Sequence, residues 1–110
     1  MTSKVQVKMF PCENRSLIAV NMNDEGEFEV KVSSTCGKAQ RYLEGLGNLT
    51  MIDLVDKPNS KIFKNFIESE MSANCLVLSG VLTASWVEAG MIARSMAKKQ
   101  VPLLIEFVDE

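Results

Sequence analysis

The chain contains no histidine. That excludes a Ser-His-Asp triad, a Cys-His dyad, a histidine zinc site and a histidine proton shuttle within its 110 residues. Aromatic residues are scarce, with one Trp and one Tyr. Basic charge is not in excess either: 12 Lys and Arg face 14 Asp and Glu, a net charge of −2. Such a balance does not hold a nucleic-acid backbone or an anionic membrane. The longest uncharged stretch, Met71 to Val87, is broken by Ser72, Asn74, Ser79, Gly80, Thr83 and Ser85. It falls short of the roughly 20 apolar residues of a membrane span. The opening Met1-Thr2-Ser3-Lys4-Val5-Gln6-Val7-Lys8 has no apolar core of a signal peptide. Three cysteines, an odd number, argue against a disulfide scaffold. Together these absences point to a reducing cytoplasm.

What is present suits one globular domain. Apolar residues make up 46% of the chain and charged residues 24%, enough for a single core and typical of a folded protein. Lys4 to Phe10 alternates, with Val5, Val7 and Met9 on one face, and Pro11 ends this strand. Leu17 to Met22 reads as a second strand, Asn23-Asp24-Glu25-Gly26 as a turn, and Glu27 to Ser33 as a third strand with Phe28, Val30 and Val32 inward. The first third is therefore expected to be a three-stranded antiparallel meander.

The period then changes. Ser34 or Thr35 caps a helix carrying Ala39, Tyr42, Leu43 and Leu46, ended by Gly45 and Gly47. Leu49 to Val55 reads as a short strand or an ordered loop. A second helix carries Ile62, Phe63, Phe66 and Ile67 and ends near Met71. A long apolar helix is expected from Ser79-Gly80 to about Lys99, packed across the sheet, with Trp86, Met91 and Met96 in the core. Val101 to Val108 reads as a closing strand begun by Pro102. Strands segregated from helices make an α+β fold, a sheet with helices on one face.

Each cysteine falls at an element boundary. Cys12 follows the first strand, Cys36 follows the third and starts a helix, and Cys75 precedes the long helix. In a meander the first and third strands end at the same edge, so Cys12 and Cys36 are expected to be neighbours. A helix N-terminus also favours a thiolate at Cys36. Taken singly, a free cysteine is more often a small buried hydrophobe than a ligand. The placement of all three in loops or caps, where no core needs filling, favours chemistry. Their spacing matches no compact Cys-x-x-Cys signature.

Pro11-Cys12-Glu13, Thr35-Cys36-Gly37-Lys38-Ala39 and Asn74-Cys75-Leu76-Val77-Leu78-Ser79 resemble the cysteine segments of NifU/IscU-type iron–sulfur scaffold proteins. The resemblance covers most of the chain as order of elements, but few positions as residue identity. It implies that Cys12, Cys36 and Cys75 converge to hold an iron–sulfur cluster or zinc. The scaffolds carry Gly-Asp after the first cysteine, where Glu13-Asn14 stand here, and a histidine where Asn74 stands. Their Leu-Pro-Pro run and their lack of a closing strand are not matched. The chain is also similar to a small uncharacterised family of archaea and anaerobic bacteria. That family carries a Ser-x-Cys after the third strand, here Ser34-Thr35-Cys36, and a Cys-Pro-Val-Pro run, here Cys75-Leu76-Val77-Leu78.

Other candidates carry a plainer alternative. Glu13 adjoins Cys12 and is a candidate fourth metal ligand, whereas Asp53 and Asp56 read better as solvated loop charges. Lys38 could lower the pKa of Cys36, though an exposed helix lysine is the default. Ser79-Gly80 could hold an anion at a helix start, though a plain cap suffices. Three functions are consistent with these residues. The favoured one is a metal or iron–sulfur binding module of scaffold or carrier type, since three thiolates leave a fourth position open. The others are a sulfur-transfer or thiol-redox protein with one activated cysteine, and a metal-free interaction domain. No enzymatic activity is assigned. A protein partner for cluster or sulfur transfer is expected, a homodimer is left open, and neither nucleic acid nor membrane is expected.

Overall fold

A computed structural model describes residues 2–109 of the chain. The fold is α+β: a four-stranded antiparallel sheet with helices packed on it. The expected meander is present as β1 (Ser3–Lys8), β2 (Arg15–Met22) and β3 (Phe28–Ser34). β2 is paired on both edges, with Val7 opposite Ser16 on one side and Ser34 opposite Ser16 on the other. The alternation that predicted the strands reports real burial. Ile18, Val20 and Phe28 are buried, while Lys4, Leu17 and Lys31 lie on the exposed face. The Asn23 side chain holds the β2–β3 turn by accepting the N–H groups of Glu25 and Glu27.

The first helix, α1 (Gly37–Glu44), lies on β3 and buries Ala39, Tyr42 and Leu43. Its cap is Cys36 rather than Ser34 or Thr35. The stretch read as a short strand or an ordered loop starts as a strand and then turns helical: β4 (Asn48–Leu49) pairs with β3, and α2 (Met51–Val55) follows, started by the Thr50–Asp53 capping box. A 3-10 turn over Lys57–Asn59 leads to α3 (Lys61–Glu68), capped by Ser60, whose oxygen accepts the Ile62 N–H. This helix stops at Glu68, three residues short of the expected Met71.

The long helix differs most from expectation. It divides into α4 (Val77–Glu88) and a single turn, α5 (Arg94–Ala97). Gly90 is the cause. At φ +83° it lets its own N–H reach the Val87 carbonyl while the Met91 N–H reaches that of Trp86. That pair of bonds is a Schellman ending, which reverses the chain. Met91 and Met96 consequently leave the core and are exposed, and Trp86 is only partly covered, its indole N–H donating to the Leu54 carbonyl. α4 lies across β1 and β2. Gly80 sits at the crossing, and a Cβ there would collide with Val7 and press on Ile18. Ser79-Gly80 thus lies within α4 and is not its cap, which is Leu76.

The closing strand is absent. Residues 101–109 form no regular structure and are exposed along their length. The short β4, not the C-terminal segment, makes the fourth strand. The apolar character of Val101 to Val108 produced the strand reading, but among the described residues no backbone pairs with it.

The core gathers Ile18, Val20, Phe28, Leu43, Leu46, Leu49, Ile62 and Val81 between sheet and helices. At the far end of α4, the buried Glu88 carboxylate joins three elements. It accepts from Ser3 Oγ at 2.8 Å, from Arg94 Nη2 at 2.9 Å and from the Met22 N–H at 2.9 Å. Burial alone would push this carboxyl up, but the bonds from Met22, Arg94 and Ser3 outweigh it and hold it below the ordinary glutamate value. A carboxyl held low in the folded state favours folding above its unfolded pKa, and that gain is lost as pH falls through the folded one. The urea midpoint of the wild type should therefore fall more steeply below about pH 4.5 than that of Glu88→Gln. Parallel pH profiles for the two proteins would contradict this role.

Candidate functional site

The sheet register brings the β1–β2 loop and the end of β3 together. Lys8 pairs with Arg15 and Ser16 with Ser34, so residues 9–14 and 35–36 leave the sheet at one edge. A polar chain ties them. Thr35 Oγ1 donates to Asn14 Oδ1 at 3.0 Å and accepts the Arg15 N–H at 2.9 Å. The Thr35 N–H donates to the Arg15 carbonyl at 3.0 Å. Asn14 Nδ2 points at Cys12 Sγ at 3.5 Å. The exposed Cys12 is thus linked through Asn14 to the residue that precedes Cys36.

Cys36 is set by a second group of bonds. The Ser16 and Ser34 hydroxyls are 2.8 Å apart, and Ser34 Oγ accepts the Cys36 N–H at 3.1 Å. Gln40 bridges back from α1, accepting the Ser34 N–H and donating to the Val32 carbonyl. The Cys36 thiol makes no capping bond although the residue is the cap. It is half-buried and packs on the edge of the core.

Cys75 stands two residues ahead of α4, its N–H held by the Ser72 carbonyl at 3.0 Å. It too is half-buried against the core. Burial pushes its thiol pKa up. The backbone of Val77 at the start of α4 lowers it in part, and the charge of Cys36 and of Cys12 adds to the rise. The Tyr42 hydroxyl is raised by burial first and by the charge on Cys75 second. It donates to the Ile62 carbonyl at 2.7 Å and is structural.

The three thiols do not form a closed ligand set. Among the described residues, no group of three or more Cys, Asp or Glu side chains stands at metal-binding spacing. Glu13 is an exposed loop residue. Lys38 is exposed on α1 and lines an open groove of about 380 Å³ with Arg41, Tyr42, Asn65 and Ser69. A second, more apolar groove lies between Leu54, Phe63, Leu82 and Trp86. Neither groove is lined by a cysteine.

Asp53 differs from the solvated charge expected of it. It is buried and acts on two helices. Its Oδ2 accepts the Thr50 N–H at 2.8 Å, closing a capping box on α2, and its Oδ1 accepts the Lys61 N–H at 2.9 Å at the start of α3. The Thr50-x-x-Asp53 spacing was the signal for it. Asp56 accepts from Asn59 Nδ2 and serves the turn. The sequence did not show that Asn14, Gln40 and the expected caps Ser34 and Thr35 would tie the strand ends together. Their signal was a concentration of small polar side chains at two strand ends that a meander must bring together.

The model of a family of unknown function (DUF6951) matches residues 3–101, and the chain belongs to that family. No curated protein and no solved structure matches the chain.

The different settings of the cysteines have a direct readout. With limiting alkylating reagent at neutral pH, Cys12 should be labelled first and Cys75 last, because Cys12 is exposed and the Cys75 thiol is covered and held protonated. Peptide mass analysis of the time course gives the order. Labelling of Cys75 at the rate of Cys12 would contradict the burial described.

Proposed function

We propose that this chain is a metal or iron–sulfur cluster binding module in which Cys12, Cys36 and Cys75 supply thiolate ligands, on the plan of NifU/IscU-type scaffolds. The observation that supports it best is the sheet register, which brings the Cys12 loop and the Cys36 cap out of the sheet side by side and ties them through Asn14, Thr35 and Ser34. A cation would favour the ionised form of Cys75, whose pKa is raised by burial first and by the other cysteines after it. A metal replaces the proton on each and offsets their mutual repulsion.

The donor set fits a soft metal. Three sulfurs suit zinc or an iron–sulfur cluster better than magnesium or calcium. Binding requires the sulfurs to draw together. The Cys12 loop is the segment placed to do so, since Cys12 is exposed and its one side-chain bond is a long one to Asn14. A fourth position falls to Glu13 or to a donor from a partner protein, which suits a carrier that passes its cargo on. The site is read as a cytoplasmic one, where thiols stay reduced.

The sulfur-transfer alternative needs a thiol whose pKa is lowered, and Cys75 is displaced the other way. On that reading the nucleophile would have to be Cys36 or Cys12.

Titration of the reduced protein with zinc, and separately with ferrous iron and sulfide, under anaerobic conditions tests the proposal. Each of Cys12→Ser, Cys36→Ser and Cys75→Ser should weaken uptake by at least the roughly 10–100-fold that loss of an outer partner alone costs. Affinity for zinc should rise with pH through the neutral range, since thiol protons are displaced. A wild type that binds no metal, or one cysteine that is dispensable, would contradict the proposal.

A further inference from the structure

The β1 edge of the sheet is open along its whole length, whereas the outer side of β3 is met by β4 at Phe28 and Glu29 and by the Gln40 side chain at Val32 and Ser34. In the order β1-β2-β3-β4, β1 is hydrogen-bonded to β2 alone, so the outward backbone groups of Ser3–Lys8 have no partner in the sheet. The C-terminal segment has the opposite deficit. Gln100, at φ +56°, turns the chain out of α5, and the residues that follow carry strand-forming side chains with no ladder. Ile105 is 81% exposed and Phe107 is 87% exposed. A ring contact between Phe107 and the equally bare Phe10, with centroids 6.3 Å apart, joins this tail to the chain just beyond β1.

We propose that the tail of one copy, residues 102–107, adds as an antiparallel strand to the β1 edge of a second copy, reciprocally about a two-fold axis. Direction argues for the second copy. In its own chain the tail follows the single turn α5, whose first residue Arg94 meets Ser3 at the start of β1, and it contacts Phe10 beyond the other end of β1. Pairing within the chain would therefore run parallel to β1. Every other ladder in the sheet is antiparallel, the more stable pairing per residue, and only a second copy offers it to the tail.

Charge and pattern agree on one register. With Glu106 opposite Lys4, Ile105 falls opposite Val5, Leu103 opposite Val7, and Pro102 opposite Lys8 at the end of the ladder. Ile105, Leu103 and Phe107 then lie on the face where Val5 and Val7 are half-buried beside α4. Glu106 joins Lys4 on the exposed face. Direct pairing of two β1 edges centred on Gln6 would set Lys4 against the Lys8 of the other copy, and like charges opposite each other are unfavourable. The lysines bar edge-to-edge pairing while admitting an acidic strand.

Sedimentation equilibrium of the full chain, reduced and with chelator present to exclude metal bridging, tests the exchange. The wild type should show a concentration-dependent dimer. Ile105→Asp should be monomeric with an unchanged circular dichroism spectrum, because that side chain touches little in the single chain. Glu106→Lys should weaken the dimer several-fold, and Lys4→Glu added to it should restore the association. A wild type that is monomeric throughout, a dimer indifferent to Ile105→Asp, or a charge reversal that is not rescued would each overturn the proposal.

Discussion

Strand β2 is bonded along both edges, and Ser16 faces Val7 across one ladder and Ser34 across the other. That double pairing decides where two of the three cysteines lie. A one-residue slip would turn Ile18 and Val20 from the core to the exposed face, so burial enforces the register. With the register held, the loop carrying Cys12 and the cap carrying Cys36 must leave the sheet side by side. Thr35, Asn14 and the paired serines then convert proximity into hydrogen bonds. The third cysteine depends on the same strands by another route. α4 can lie close over β1 and β2 because Gly80 has no side chain at the crossing, and Cys75 is the last loop residue but one before that helix.

The polar interior is concentrated away from the cysteines. Glu88, Arg94, Ser3 and the Met22 N–H lock the C-terminal end of α4 to the first two strands. Asp53 and Ser60 join α2 to α3, Ser60 Oγ donating to the Asp53 carbonyl. Among the described residues no buried side-chain polar atom lacks a partner, so these networks are complete. A complete network resists rearrangement, since breaking it strands a buried charge. The cysteine end is built otherwise: one thiol exposed, two half-buried, and long or absent side-chain bonds to sulfur. That division of a fixed scaffold and a loosely held set of thiols is the physical basis of the proposed function.

The alternation of Val5 and Val7, and of Phe28, Val30 and Val32, made the meander legible, because period-two burial has no other reading over such lengths. The helices were legible as segments but not in their ends. Gly90 stands where a helix can stop, yet the apolar residues on both sides of it read as one run, and only the two bonds that close α4 show which influence prevails. The fourth strand is two residues long and carries no period at all. Residues 101–108 look like a strand because strand character is a property of side chains, whereas being a strand needs a neighbouring backbone. The nearness of Cys12 to Cys36 followed from topology. The place of Cys75 did not, since a connector's path is set by the packing of α4 rather than by its own residues.

The central claim is that three sulfurs meet at one metal. X-ray absorption at the zinc edge, on protein loaded with zinc under reducing conditions, counts those sulfurs directly. Three sulfur neighbours at about 2.3 Å are expected, with the remaining position filled by a lighter atom. A first shell of oxygen and nitrogen at about 2.0–2.1 Å, with one sulfur or none, would contradict it.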